Sequence, residues 1–177
     1  MTIPVHTLGD YLDLLSEQNL LAAPIPDGLD RSQAVTGLTC DSRQVAPGTL
    51  FIRKGAHFQT KFLEMARDQG AMACVSQEED TVPGLPRIAI TDTRKVLAPL
   101  ADRFYDHPSG KLKVIGITGT KGKSSTAYYM KSILDCFQRR QGKGETGVVS
   151  SIDTYDGVER FESHLTTPEP LDLQRHF

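Results

Sequence analysis

The sequence predicts an α/β protein. Short apolar runs typical of strands alternate along the chain with amphipathic runs of helical spacing, and this alternation is characteristic of sheets covered by helices. The length of 177 residues favours one domain or two small ones. The pattern breaks at His107-Pro108-Ser109-Gly110 and then restarts. We therefore predict a small N-terminal α/β domain over residues 1–108 and the start of a second α/β domain, built around a glycine-rich loop, over residues 109–177.

The composition is typical of a soluble globular protein. Hydrophobic residues make up 38% of the chain, and 20 Lys and Arg nearly balance 22 Asp and Glu. The net charge of -2 gives no electrostatic reason to expect nucleic acid or a membrane surface as a partner. No apolar run approaches the ~20 residues of a membrane-spanning helix, and the first residues do not have the pattern of a secretory signal.

The three cysteines, Cys40, Cys74 and Cys136, lie far apart in the sequence. Their odd number and wide spacing fit neither a disulfide framework nor a zinc site, so we expect a cytoplasmic protein. Cys74 and Cys136 each lie within an apolar stretch. We interpret both as small buried hydrophobic residues.

In the first domain, a helix is predicted to begin after Thr7, a suitable cap, and to end by Pro24. Strands are predicted over residues 50–52, 73–75 and 87–90. A second helix, ending at Gly70, has a face formed by Phe62, Met65, Ala66 and Gln69. Asp92 is expected to cap a third helix that stops before Pro108. Its apolar face consists of Val96, Leu97, Leu100, Ala101 and Phe104.

The second domain is predicted to open with a buried strand over residues 114–118, followed by the glycine-rich loop and a long helix. The apolar face of that helix is expected to contain Ala127, Met130, Ile133, Leu134 and Phe137. A polar loop leads to a strand at residues 148–149, and Asp156-Gly157 indicates a hairpin turn. A last helix is expected from Pro170 onward.

The most informative stretch is the loop Gly119-Thr120-Lys121-Gly122-Lys123-Ser124-Ser125. Between a strand and a helix, consecutive backbone N–H groups can surround phosphate oxygens, and the helix N-terminus adds partial positive charge. Lys123 would bring a full positive charge to the outer phosphates, and the Ser124 hydroxyl is placed to bind Mg²⁺. Ile117 stands where the general phosphate-loop pattern has its first glycine. The loop predicts a nucleoside triphosphate site, and the alternative is a structural glycine turn with a solvated lysine.

Three segments resemble the Mur ligases, the ATP-dependent amide-forming enzymes of peptidoglycan synthesis. Residues 118–125 are similar to the family's shortened phosphate loop, and residues 41–52, DSRQVAPGTLFI, to the D-S-R-x-V-x-P-G-x-L-F segment of its N-terminal domain. Residues 165–170, LTTPEP, match the T-T-P-[ED] segment of the MurE type, the branch that adds the third residue of the stem peptide. The segments occur in the family's order over nearly the whole chain.

The resemblance implies a UDP-substrate-binding domain over residues 1–108 and the first part of a P-loop ATP-binding domain over residues 109–177, with Lys123 in a catalytic role. It implies that Ser42, with the backbone near Cys40, binds the uridine diphosphate end of the substrate. Ala56 and His57 would line the same pocket. The residues after Gly55 depart from the commoner G-x-x-x-D-G form, so a surface or packing role for His57 stays open. For Ser42 the alternative is ordinary turn chemistry.

The T-T-P-E segment carries three further candidates. By resemblance, Thr166 and Thr167 contact the UDP-muramoyl substrate near its phosphates and sugar. Glu169 is a candidate Mg²⁺ ligand close to the phosphate loop. The alternatives are a helix cap for the threonines and a favourable interaction of Glu169 with the helix dipole.

The implied activity is ATP-dependent addition of an amino acid, L-lysine or meso-diaminopimelate, to UDP-N-acetylmuramoyl-L-alanyl-D-glutamate through an acyl phosphate. The implied cofactors are ATP and Mg²⁺, in an enzyme of cell wall biogenesis that is monomeric when intact. The family continues well beyond the T-T-P segment, so we expect this chain to be a fragment that is inactive alone. The alternatives are another ligase of the superfamily, such as a folylpolyglutamate synthetase, or a non-catalytic nucleotide-binding module.

Overall fold

The computed structural model describes residues 5–163 and 167–177. The chain forms two compact units, Met1–His107 and Pro108–Phe177, here called unit 1 and unit 2. None of the described helices is both long enough and apolar enough to cross a bilayer. The predicted α/β class is confirmed, since unit 1 combines helices with a parallel sheet.

Unit 1 is built on a parallel sheet with the strand order β1-β2-β3-β4. Its described helices and strands are α1 Leu8–Glu17, β1 Gly37–Thr39, β2 Thr49–Ile52, α2 Lys61–Asp68, β3 Ala71–Ser76, β4 Arg87–Ala89 and α3 Thr93–Phe104. A 3-10 turn, Ser42–Gln44, follows β1. All four strands run in the same direction, so the loops that leave them do so at one edge of the sheet. We call this the carboxyl edge.

Side-chain caps determine where two helices of unit 1 begin. Thr7 and Asp10 form a capping box: the Thr7 N–H donates to the Asp10 carboxylate over 2.7 Å, and the Asp10 N–H donates to the Thr7 hydroxyl over 3.4 Å. The Asp92 carboxylate accepts hydrogen bonds from the N–H groups of Arg94 and Lys95. Both caps were predicted from the sequence, because they depend on residues only two or three positions apart.

Two features of unit 1 differ from the prediction. α1 ends at Glu17, well before the expected stop at Pro24, because the chain turns at Asn19, which has a φ of 55°. The strand β1 was not predicted. It has only three residues, Gly37–Thr39, which is too short a stretch to show an apolar periodicity.

The core of unit 1 lies on both faces of β2. Phe51 points toward α2, whereas Leu50 and Ile52 point to the opposite face, and all three side chains are fully buried. The cluster on the α2 side consists of Val45, Phe51, Leu63, Ala66, Cys74, Val82 and Leu85. Burial raises the pKa of the Cys74 thiol to about 12. Cys74 is therefore a packing residue, as predicted.

Unit 2 contains an antiparallel sheet with the order β5-β6-β7. Its described helices and strands are α4 Lys123–Arg140, β5 Val148–Val149, β6 Asp153–Tyr155, β7 Arg160–Glu162 and α5 Pro170–His176. The predicted hairpin turn joins β6 to β7. There the Asp156 carboxylate accepts hydrogen bonds from the N–H groups of Val158 and Glu159, and Gly157 has a φ of 96°.

The predicted buried strand over residues 114–118 is wrong. Residues 113–119 form no regular secondary structure, and Val114 and Ile115 are each 55% exposed. A parallel strand requires neighbouring strands to complete its hydrogen bonds and elements that cover both of its faces. The strands described in unit 2 pair with one another in antiparallel register, so they do not supply those neighbours.

The predicted apolar face of α4 is also wrong in part. Ile133 is 69% exposed and Phe137 is 60% exposed. The buried side of the helix instead carries an ion pair, in which Lys131 Nζ lies 2.7 Å from Asp135 Oδ2. Cys136, predicted to be buried, is exposed. An amphipathic helix buries an apolar stripe only where another element covers it, and the described part of unit 2 covers the Lys131 side.

We expect amide hydrogen exchange to be slower in α3 than in α4. The inner face of α3 is buried, whereas α4 leaves large apolar side chains in solvent, so α4 has less packing to oppose local opening. Exchange followed by mass spectrometry on the intact chain measures both helices in one sample. Equal protection of the two helices would contradict this expectation.

Candidate functional site

Four of the predicted substrate-binding residues lie at the carboxyl edge of unit 1. Cys40 and Ser42 follow β1, and Ala56 and His57 follow β2. Because β1 and β2 are adjacent parallel strands, the two loops leave the sheet side by side. Ligands of open parallel sheets bind in the crevice outside the carboxyl ends of the strands. The structure thus places these four residues at the edge where a ligand is expected.

The Ser42 hydroxyl is directed inward. Ser42 is only 5% exposed, and its Oγ lies 3.3 Å from the sulfur of Met65 on α2. The Ser42 hydroxyl donates to this thioether, which is a weak acceptor. The hydroxyl oxygen can still accept a hydrogen bond from another group. The contact joins the 3-10 turn to α2, and nothing in the spacing of Ser42 and Met65 in the sequence could have predicted it.

The two charged residues beside Ser42 pair with each other. Arg43 Nε lies 2.9 Å from Asp41 Oδ1, and Arg43 Nη2 lies 2.6 Å from Asp41 Oδ2. The hydrogen bonds from the Arg43 side chain hold the pKa of the Asp41 carboxyl below its usual value. The same carboxylate accepts the Arg43 N–H and so caps the 3-10 turn. The turn chemistry that the sequence left open is therefore present in this segment.

The loop after β2 is closed by a contact that the sequence analysis missed. The Arg53 guanidinium lies over the Phe58 ring, with Cζ 4.8 Å from the ring centroid. Arg53 also forms an ion pair with Asp80, at 2.7 Å between Nη2 and Oδ2. Residues 55–57, which include two of the predicted site residues, are exposed between these ends. The signal that could have drawn attention to Arg53 is its position directly after a buried strand.

The predicted phosphate loop lies at the N-terminus of α4. Gly122 occupies the cap position with a φ of 75°, and no side chain caps the first turn. Gly119 has a φ of 154°, and residues 118–123 are exposed. Lys123 Nζ donates to the Gly119 carbonyl over 2.7 Å, so the lysine folds back across the loop. Uncapped N–H groups beside exposed glycines are the arrangement that binds phosphate oxygens.

The loop residues fit a nucleotide phosphate, to which they offer several N–H donors. They offer fewer oxygen ligands to Mg²⁺. Ser124 Oγ lies 3.4 Å from the hydroxyl of Ser151, so two hydroxyl oxygens meet beside the loop. Among residues 5–163 and 167–177, no group of three or more His, Cys, Asp or Glu is placed to hold a metal ion. The Ser124 hydroxyl would be one ligand for an ion that nucleotide phosphates also hold.

The T-T-P-E segment is described only in part. Thr166 lies outside the described residues. Thr167 is exposed, and Glu169 occupies the cap position of α5, which begins at Pro170 as predicted. Thr167 is therefore not the cap of this helix. The Glu169 side chain makes no capping hydrogen bond to the first turn.

Comparison with known proteins identifies the family. The model of the Mur ligase middle domain matches residues 117–177. The UDP-N-acetylmuramoyl-L-alanyl-D-glutamate--L-lysine ligase of Enterococcus faecalis is 45% identical over 99% of this chain. The chain belongs to the Mur ligase family. A UDP-N-acetylmuramoyl-L-alanyl-D-glutamate--2,6-diaminopimelate ligase of Clostridioides difficile is 39% identical over 81% of this Mur ligase chain. The resemblance inferred from the three motifs is confirmed.

This Mur ligase chain spans about a third of the length of these relatives, 35% of the Enterococcus faecalis protein and 29% of the Clostridioides difficile protein. A solved structure of a UDP-N-acetylmuramoyl-L-alanyl-D-glutamate--2,6-diaminopimelate ligase shares the fold. The match covers 98% of the present chain and 33% of that structure, with a TM-score of 0.66 at 22% sequence identity.

Proposed function

We propose that the chain is the substrate- and ATP-binding part of a MurE-type ligase, which adds the third amino acid to UDP-N-acetylmuramoyl-L-alanyl-D-glutamate in peptidoglycan synthesis. The observation that carries the proposal is the 45% identity to the Enterococcus faecalis L-lysine ligase over 99% of the chain. Relatives named for L-lysine and for 2,6-diaminopimelate both match, so the proposal leaves the amino acid open. A cytoplasmic location, a monomeric state and the use of Mg²⁺ belong to the same proposal.

In this proposal each unit binds a different ligand. Unit 1 binds the UDP end of the substrate with the loops after β1 and β2, and unit 2 holds ATP with residues 119–125. The carboxyl-edge position of the first two loops supports the assignment of unit 1. The uncapped N-terminus of α4 and its exposed glycines support the assignment of unit 2.

Unit 2 would act on ATP by positioning and by charge neutralisation. The N–H groups of the first turn of α4 donate to phosphate oxygens, and Lys123 exchanges the Gly119 carbonyl for an outer phosphate. These groups stabilise the charge that develops when the substrate carboxylate attacks the γ-phosphate, displaces ADP and forms an acyl phosphate. Mg²⁺ would add positive charge at the same phosphates, with Ser124 as one ligand. The amine of the incoming amino acid then displaces phosphate and forms the amide.

A chimera tests the proposed function. This chain replaces the matching third of the Enterococcus faecalis ligase, and phosphate release is measured with the UDP substrate, ATP, Mg²⁺ and L-lysine. We expect release that depends on every component and that is lost in a Lys123→Ala chimera. The 177-residue chain alone serves as the control, and we expect no turnover from it because it spans about a third of the relatives.

Other outcomes would support the rival functions. A chimera that folds and binds ATP but releases no phosphate would contradict the proposal and favour a non-catalytic nucleotide-binding module. Phosphate release with a folate substrate and glutamate, but not with the UDP substrate, would favour a folylpolyglutamate synthetase-like ligase.

A further inference from the structure

The end of the loop after β2 is fixed to the core of unit 1. Phe58 packs against the buried cluster on the α2 side of the sheet. Its ring centroid lies 6.2 Å from that of Phe51 and 5.5 Å from that of Phe62. Aromatic pairs at these separations are attractive, so Phe58 is a firm attachment point.

The start of the same loop is fixed by Arg53. Its backbone N–H donates to the Val75 carbonyl over 2.9 Å, which continues the pairing of β2 with β3. Its side chain is only 15% exposed and forms ion pairs with Asp80 at 2.7 Å and with Glu78 at 3.9 Å, in the segment after β3. Arg53 therefore joins the ends of two adjacent strands at the carboxyl edge.

Stability alone does not account for an arginine at this position. The Nε atom of Arg53 is buried and has no hydrogen-bond partner. Leaving a buried donor unsatisfied costs free energy, and an apolar side chain of similar length would avoid that cost. The carboxylates of Glu78 and Asp80 neutralise the charge of Arg53. Arg53 is therefore poorly suited to bind a phosphate directly. The contact that distinguishes it is the one with Phe58.

That contact closes a loop of four residues, 54–57. The guanidinium lies 4.8 Å from the Phe58 ring centroid, so the two ends of the loop touch each other. Between them Ala56 and His57 remain exposed. Gly55 has a φ of 107°, and because glycine has no Cβ the backbone there can adopt other conformations if the ends separate. We propose that Arg53 is a positioning residue, which holds Ala56 and His57 in place for the uridine diphosphate end of the substrate. This inference rests on the proposed function of unit 1.

The experiment titrates UDP into the 177-residue chain by calorimetry and records the thermal unfolding midpoint of each variant. We expect Arg53→Met to weaken UDP binding about fivefold, the effect of losing one partly buried cation–π contact. Arg53→Lys, which retains the charge, should recover part of the affinity. Phe58→Leu should weaken binding to a similar degree, and the double variant should bind no more weakly than the weaker single variant, because both changes remove the same contact.

Two further variants complete the design. Arg31→Met removes an arginine that pairs with Asp13 elsewhere in unit 1, and it should leave UDP affinity unchanged. Asp80→Asn removes the shorter of the two Arg53 ion pairs but leaves the ring contact, so it provides a second measurement if Arg53→Met does not fold. We expect it to weaken UDP binding about twofold, in line with the small free energy of a single partly exposed ion pair.

The outcomes separate this inference from the proposed function. If the wild-type chain does not bind UDP, both the proposed function of unit 1 and the positioning role of Arg53 are overturned. If the wild-type chain binds UDP and a folded Arg53→Met variant binds it equally well, the inference alone is overturned. Fully additive effects of Arg53→Met and Phe58→Leu would also overturn it, because the two residues would then act independently.

Discussion

Replacing Lys123 by alanine is expected to weaken ATP binding by about 1.5–3 kcal/mol, or roughly 10- to 150-fold, the range for hydrogen bonds to charged groups. Lys123 is the first residue of α4, and its Nζ lies 2.7 Å from the Gly119 carbonyl across the loop. The substitution removes both the positive charge near the outer phosphates and the hydrogen bond that folds the loop. Calorimetric titration of ATP into the intact chain measures the loss directly.

A matched control comes from the same unit. Lys143 is an exposed lysine in the loop after α4, and Lys143→Ala makes the same chemical change away from the glycines. ATP affinity should be unchanged in this variant. If Lys123→Ala also left the affinity unchanged, residues 119–125 would not be the nucleotide site, and the alternative of a structural glycine turn would stand.

Replacing Asp135 by alanine is expected to destabilise unit 2 by about 1–3 kcal/mol, the usual effect of leaving a buried polar group without its partner. The side chains of Lys131 and Asp135 are 10% and 8% exposed, and their charged atoms lie 2.7 Å apart. Asp135 also accepts the Thr146 N–H over 2.7 Å, which ties the loop before β5 to α4. The variant leaves Lys131 with the more distant Glu145 carboxylate, at 3.4 Å, and the Thr146 N–H without its partner. Denaturant unfolding followed by a unit 2 probe measures the change.

The pKa of the Asp135 carboxyl predicts that unit 2 loses stability in acid. Burial alone would raise the pKa of Asp135, but the hydrogen bonds from Lys131 and Thr146 outweigh it and hold the pKa below its ordinary value of 3.8. The stabilisation is therefore complete above that value and is lost as the pH falls below it, because the unfolded chain binds the proton more readily. Asp135→Asn should be less stable at neutral pH and should lack this part of the acid dependence. An identical acid profile for the two proteins would contradict the assignment.

Elements whose signals are local were predicted well. The caps at Thr7 and Asp92, the turn at Asp156-Gly157 and the strand around Phe51 each depend on residues within a few positions. Residues 114–118 show the opposite case. Their apolar pattern is that of a buried strand, but a parallel strand forms only with neighbours, and the described strands of unit 2 do not provide them.

In the candidate site, too, features that depend on neighbouring residues were predicted, and contacts between residues far apart in the sequence were not. The glycine-rich loop before α4 was predicted from neighbouring residues. The binding roles of Cys40, Ser42, Ala56 and His57 were implied by the resemblance to the Mur ligases. The contact between Ser42 and Met65 and the ion pair between Arg53 and Asp80 join residues 23 and 27 positions apart. Only the folded chain brings such pairs together. Lys131 and Asp135 had a recognisable spacing, yet their burial depends on what covers α4.

The common direction of β1 to β4 has an evolutionary consequence. The strands carry the packing of unit 1, with Leu50, Phe51 and Ile52 fully buried, while residues 55–57 in the loop after β2 are exposed. Mutation can therefore alter the exposed Ala56 and His57, in a stretch that already departs from the commoner family pattern, without opening a cavity in the interior. Selection on ligand preference can therefore act at Ala56 and His57 with little effect on folding. Homologous domains should accordingly diverge fastest in the loops at the carboxyl edge and retain the volumes of the side chains in the strands.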